Sequence, residues 1–129
     1  MNRLLLTVVT LALAVPATAN PIQDGYRAAA KQENPGFKEF SATRGQAFYT
    51  AKSGNMACAT CHGDSPKSRG KHVKTGNDIQ PIAPSANTQR ITDPAKVEKW
   101  FQRNCKDVLS RACTAQEKGD FIAYLLSVK

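Results

Sequence analysis

Apolar residues along the chain fall in separated stretches, and none of them alternates as a half-buried strand would. The first, Leu4 to Val15, is a predominantly apolar run behind Arg3 that closes with Ala17-Thr18-Ala19 before Asn20-Pro21. A basic start, an apolar centre and a small-residue end make a cleavable export signal, and the run is too short to cross a bilayer. Residues 1–19 are therefore expected to be a signal peptide and residues 20–129 a single mature domain.

The remaining apolar positions have helical spacing. Ile22 to Lys31 reads as a short helix broken at Asn34-Pro35-Gly36, an N-terminal extension to the rest of the domain. Ala42 to about Lys52 reads as a second helix, with Ser41 as N-cap, Gly45, Phe48 and Tyr49 near one face, and Ser53-Gly54-Asn55 as its end. From Gly63 to Thr92 no period is sustained, so an irregular loop is expected. Asp93 and Pro94 then open a helix as N-cap and first residue. Val97, Trp100, Phe101, Asn104 and Val108 share one arc of it, opposite Lys96, Lys99, Gln102, Arg103 and Lys106. Thr114-Ala-Gln-Glu117 is a capping box for a last helix, whose stripe is Phe121, Ile122, Leu125 and Leu126. The fold class is all-α.

Composition adds a constraint. The formal charge is +8, and removal of Arg3 with the leader leaves 17 basic and 10 acidic residues. Apolar residues make up 41% even with the leader counted, below the usual ~45–50%. A domain this small and polar needs a staple or a buried cofactor, and four cysteines offer either. Length excludes a multidomain enzyme, and polarity excludes an integral membrane protein. Membrane contact is expected to be peripheral at most, and no nucleic-acid partner is expected. Lys67, Arg69, Lys71, His72 and Lys74 form a basic segment, read either as a solvated loop or as a docking surface for an acidic partner.

Cys58-Ala59-Thr60-Cys61-His62 is a C-x-x-C-H sequence, the attachment signature of c-type haem in an exported protein. Two thiols at this spacing add to the two vinyl groups of one porphyrin, and the adjacent imidazole lies beneath the iron. A thioredoxin-like dithiol would want a βαβ context, which is absent. Zinc would need the later cysteines, and Cys105 and Cys113 lack the close spacing of a zinc site. One covalently attached haem c is thus the expected cofactor, with Cys58, Cys61 and His62 as its residues. Cys105 and Cys113 remain as an even pair, whose default in an oxidising compartment is a disulfide.

The sixth iron ligand is less direct. Beyond the leader the only methionine is Met56, two residues before Cys58 and tied to the proximal side, so the common His/Met pair of electron carriers is disfavoured. His72 lies in the basic loop, and Lys71 or Lys74 would have to lose a proton first. Asn104 is the one polar member of an apolar helical face, which suits a hydrogen-bonded core amide, a helix cap or a ligand.

Arg44-Gly45-x-x-Phe48 and Asp120-Phe121-Ile122-Ala123-Tyr124-Leu125 resemble the crossing terminal helices of class I cytochromes c. Lys74-Thr75-Gly76, Ile82-Ala83-Pro84-Ser85-Ala86, Val97-Glu98-Lys99-Trp100, Arg103-Asn104-Cys105 and Cys113-Thr114 more specifically resemble the sphaeroides haem protein (SHP) family, from about Tyr26 onward. That resemblance implies a monohaem class I cytochrome c fold with His62 as proximal ligand and Asn104 as distal ligand of ferric iron. It also implies thioethers at Cys58 and Cys61 and a Cys105–Cys113 disulfide. In that family the asparagine leaves on reduction and ferrous haem binds a diatomic gas, oxygen or nitric oxide. A sibling, cytochrome c double-prime, carries histidine at the position of Asn104.

The function this implies is that of a periplasmic monohaem cytochrome in electron transfer that binds a gas when reduced. A dihaem cytochrome c or a membrane cytochrome b is the implied electron donor. Two rivals stand beside it: a plain electron carrier without ligand chemistry, and a haem enzyme such as a nitric oxide dioxygenase or a peroxidase.

Overall fold

The computed structural model describes residues 20–129; the expected signal peptide lies outside the described residues. In chain order the elements are α1 (Pro21–Glu33), α2 (Ala42–Thr50), α3 (Cys58–His62), β1 (Gly70–Lys71), β2 (Asp78–Ile79), α4 (Pro94–Leu109) and α5 (Ala115–Ser127).

Local capping sets most of the boundaries. The Asn20 side chain accepts from the amides of Ile22 and Gln23, which starts α1 one residue ahead of the apolar pattern. Ser41 accepts from Arg44 N, Asp93 from Lys96 N, and Thr114 from Glu117 N, whose carboxylate takes the Thr114 amide in return. α2 stops at Thr50, two residues before the expected Lys52. α4 ends at Ser110, in the left-handed region at φ 58°.

The N-terminal extension is packed into the body of the protein. α1 lies on α5: Ile22 and Ala30 are buried, Gln23 Nε2 donates to the Gly119 carbonyl at 3.0 Å, and Glu33 accepts from Ala115 N at 2.8 Å. Glu33 thereby caps the first amide of a helix 82 residues away in sequence, and α1 runs two residues past the expected Lys31 to reach it.

α2 crosses α5 at Gly45, where a Cβ would overlap the Asp120 carbonyl and the Tyr124 Cβ. Asp120 is a buried carboxylate, held by Arg44 Nε at 2.7 Å, Arg44 Nη2 at 2.9 Å and Ser41 N at 2.6 Å. α5 is therefore the central helix. Ile122 and Leu125 of its expected stripe are buried, Phe121 and Leu126 half-buried, and Ala115, Gly119, Asp120 and Tyr124 are buried as well, because partners pack on more than one side.

The expected loop contains a small hairpin. β1 and β2 pair antiparallel, Gly70 opposite Ile79 and Lys71 opposite Asp78. Two-residue strands are too short to show alternation, which is why the sequence pattern missed them. The turn closes through His72 N donating to the Asn77 carbonyl, with Gly76 at φ 70°. Downstream, Ile91 takes φ 56°, a cost of about 1–3 kcal/mol for a side chain without a structural reason. The reason here is that its side chain packs on two core clusters at once, one built on Phe101 and Ile122, the other on Tyr49 and Leu125.

Candidate functional site

α3 is a single turn of helix made by the C-x-x-C-H sequence itself. Thr60 Oγ1 accepts from Ala57 N at 2.8 Å and satisfies one of the free amides at its start, and Gly63 at φ 81° ends it. Cys58 and Cys61 are three residues apart, so both thiols share one face; both are free and half-buried.

The segment is pinned from behind. Tyr49, fully buried on α2, donates its phenolic proton to the Gly63 carbonyl. Gly70 of β1 sits where a Cβ would overlap the Cys61 carbonyl and crowd His62 Cα, so only glycine fits there. The carbonyl of buried Pro66 accepts from Ile82 N and Ala83 N at 2.9 and 3.0 Å, and Ile82 belongs to the core cluster on which Cys58 and Ala59 pack.

Electrostatics separate the possible chemistries. Partial burial, and then the charge of Arg90, push His62 down to about 4, which favours the neutral imidazole. Burial pushes the Cys58 thiol up to about 11. A redox-active dithiol is favoured by the opposite shift, toward thiolate. Cys105 and Cys113 are joined to each other, with Cα atoms 5.7 Å apart, and do not complete a zinc site with Cys58 and Cys61.

The distal candidates separate too. His72 accepts from Thr75 N at 3.2 Å within its own turn. Met56 is held by a bridge to Ser53 just ahead of α3. Lys71 is well exposed and lies 4.0 Å from Asp78. On α4 the buried positions are Phe101 and Cys105, one step round from the centre of the expected arc. Val97, Asn104 and Val108 are half-buried, and Trp100 is 44% exposed, against the expectation that it is core. Trp100 and Asn104, four residues apart, thus lie one turn from each other along one edge of α4.

Arg90 connects this edge to α3. Its Nε donates to the Pro81 carbonyl at 2.9 Å and Nη2 to the Gln80 carbonyl at 3.1 Å, while the guanidinium lies 5.6 Å from the Trp100 ring centre. Its charge is felt at His62. Sequence reasoning missed Arg90, because a lone arginine in an aperiodic segment carries no local signal.

These residues suit a haem: two free thiols on one helical face, a half-buried imidazole biased toward its neutral form beside them, and an aromatic ring and an amide on the edge of α4. A helical frame around a C-x-x-C-H turn of this kind defines a c-type cytochrome.

Comparison with known proteins narrows the class. Residues 35–125 match a family described as a domain of unknown function, DUF1924. Cytochrome c'' of Methylophilus methylotrophus is 41% identical, with 90% of this chain and 84% of that protein covered. The crystal structure of its oxidized form superposes with a TM-score of 0.75, over 84% of this chain and 92% of the other at 39% identity. The cytochrome c-type protein SHP of Cereibacter sphaeroides is 39% identical over 95% of both chains. The structure of oxidized SHP, an oxygen-binding cytochrome c, gives a TM-score of 0.71 at 39% identity, over 81% and 91%. The chain belongs to this family of SHP and cytochrome c'', the monohaem c-type cytochromes, and its cofactor is haem c.

Proposed function

We propose that this cytochrome is exported to the periplasm, accepts single electrons there, and opens its haem to a diatomic gas when reduced. Bound haem supplies a redox-active iron. Cys58 and Cys61 hold the porphyrin through thioethers, and His62 presents its neutral nitrogen to the proximal side. Asn104 offers its amide oxygen to ferric iron; a neutral oxygen donor suits the harder ferric ion better than the softer ferrous one. With haem bound, Asn104 would hold the reduced iron more weakly than the oxidised iron, which would leave room for oxygen or nitric oxide. The oxygen binding ascribed to SHP supports this reading.

The observation that carries it is the place of Asn104: a half-buried amide on the Trp100 edge of α4, anchored one residue from a disulfide. Optical spectra test it. Asn104→Ala should change the ferric spectrum strongly and the ferrous spectrum much less, and Asn104→His should move the ferric protein toward low spin. His72→Ala should do neither. An unchanged ferric spectrum in Asn104→Ala, with low-spin character lost in His72→Ala, would replace the asparagine by a bis-histidine carrier.

Attachment and export have their own check. The intact mass of protein matured in a periplasm with haem-ligation machinery should show one haem added and residues 1–19 absent. A haem-free chain that retains its leader would refute both.

A further inference from the structure

A file of aromatic rings crosses the core from half-buried Tyr26 to the haem-attachment turn. Tyr26 on α1 meets Phe101 on α4 edge-on, with ring centres 6.0 Å apart. Phe101 meets Phe121 on α5 at 5.8 Å, and Phe121 meets Tyr49 on α2 at 6.2 Å. Tyr49 packs with Cys58 and Ala59 and donates to the carbonyl of Gly63, the residue after His62. Four helices contribute one ring each, so the file exists only in the folded chain.

Its two ends differ in chemistry. A phenol gives up an electron readily only if its proton can leave too. Tyr26 donates that proton to the Glu98 carboxylate at 2.8 Å, and burial with Glu98 beside it holds the phenol well above its ordinary value, so the hydroxyl is protonated at rest. Glu98 also accepts from Lys118 Nζ at 2.8 and 3.0 Å and from Gln102 at 3.3 Å. Tyr49, by contrast, faces a backbone carbonyl, a far weaker base. Tyr124, whose ring is 5.6 Å from that of Tyr49, has no hydrogen bond to a carboxylate among the described residues. Trp100 lies under the Arg90 guanidinium, whose charge opposes formation of a tryptophan radical cation. Lys118 Nζ is 5.4 Å from the Tyr26 ring, but a tyrosyl radical that has passed its proton to Glu98 is neutral, so that charge opposes little.

We propose that Tyr26 is the protein's own electron donor to the haem when the reduced protein meets a peroxide, with Phe101, Phe121 and Tyr49 as the tunnelling bridge and Glu98 as the proton acceptor. The balance closes. One hydrogen peroxide takes two electrons and two solvent protons and becomes two waters. Ferrous iron gives one electron and ends ferric; Tyr26 gives the other and ends as a neutral radical, its proton on Glu98. The oxidising equivalent is thereby carried away from the porphyrin to the surface, where an external reductant can quench it.

This rests on the reading that the reduced haem is open to small oxygen species, and carbon monoxide binding to the ferrous protein tests that opening separately. For the inference itself, ferrous holoprotein is mixed with equimolar hydrogen peroxide without air and freeze-quenched for electron paramagnetic resonance. Parallel samples are treated with a nitroso spin trap and mapped by peptide mass spectrometry. A tyrosyl signal and an adduct on Tyr26 are expected. Both are lost in Tyr26→Phe, which keeps the ring and its stacking, and in Glu98→Gln, which keeps the tyrosine and removes the base. In the wild type the radical forms more slowly in deuterium oxide, a check that needs no variant. An adduct on Trp100 or Tyr49 instead, or a Tyr26 adduct that survives Glu98→Gln, overturns the assignment. Ferrous protein that binds carbon monoxide yet yields no Tyr26 radical overturns the inference and leaves the open-site reading standing; protein that binds none and yields none overturns both.

Discussion

Gly45 sets how closely α2 and α5 approach, because the Asp120 backbone occupies the space a Cβ would need. Packed backbone yields less readily than a flexible side chain, so Gly45→Ala forces the two helices apart and loosens the Arg44–Asp120 clamp beside them. The expected cost is about 1–3 kcal/mol, the usual range for an overpacked contact. Thermal unfolding of the holoprotein should show a lowered midpoint, and an unchanged one would mean the crossing can shift without loss. Gly45 stood out in the sequence as part of Arg44-Gly45-x-x-Phe48, but the atoms that require it lie 75 residues further on. Arg90 and Asp120 are similar. An arginine in a loop and an aspartate in a helix read as solvated charges until the fold places carbonyls around one and buries the other.

At the scale of elements, α4 presents Asn104 and the disulfide controls where α4 ends. Cys105 in α4 and Cys113 just before α5 close a short loop around the left-handed Ser110. Removing both thiols, as Cys105→Ser with Cys113→Ser, should cost about 2–3 kcal/mol on the chain-entropy account. It should also broaden the ferric spectrum, because the helix that carries Asn104 loses its anchor; non-reducing peptide maps of the wild type should recover the linked pair. An equally stable variant with an unchanged ferric spectrum would show that packing alone places Asn104. The caps of α2, α4 and α5 were readable at Ser41, Asp93 and Thr114, since capping acts over three or four residues. The burial of the α4 arc was not. Trp100 and Phe101 stand at opposite edges of the expected arc, and Phe101 faces α5 while Trp100 faces Arg90.

For the whole molecule, charge and hairpin come together. Gly70 packs the hairpin directly on α3, so exposed Lys71 and Lys74 and the 50% exposed Val73 stand beside the haem-attachment turn. A basic rim around an apolar spot suits an acidic electron donor, the role we propose for a dihaem cytochrome c or a membrane cytochrome b. Rim charges act chiefly on the association rate and its salt dependence. Lys71→Glu with Lys74→Glu should therefore slow reduction by an acidic donor and flatten its dependence on ionic strength, with the ferric spectrum untouched. Stopped-flow reduction across a salt series measures this, and identical slopes for variant and wild type would move the docking site elsewhere.

In the sequence, near neighbours and composition alone settle the helix starts, the C-x-x-C-H turn, the shortage of core that calls for a staple or a cofactor, and the surplus of positive charge. Its likeness to a family also singled out Asn104, which periodicity alone left open among three roles. Folding alone settles which side of α4 is buried, that α1 caps α5 through Glu33, that burial and Arg90 lower the pKa of His62, and that Tyr26 faces Glu98 at the end of an aromatic file. Caps and turns close over a few residues and leave a local trace. Burial, charge pairing and ring contacts join positions far apart in the chain, where no local period can register them.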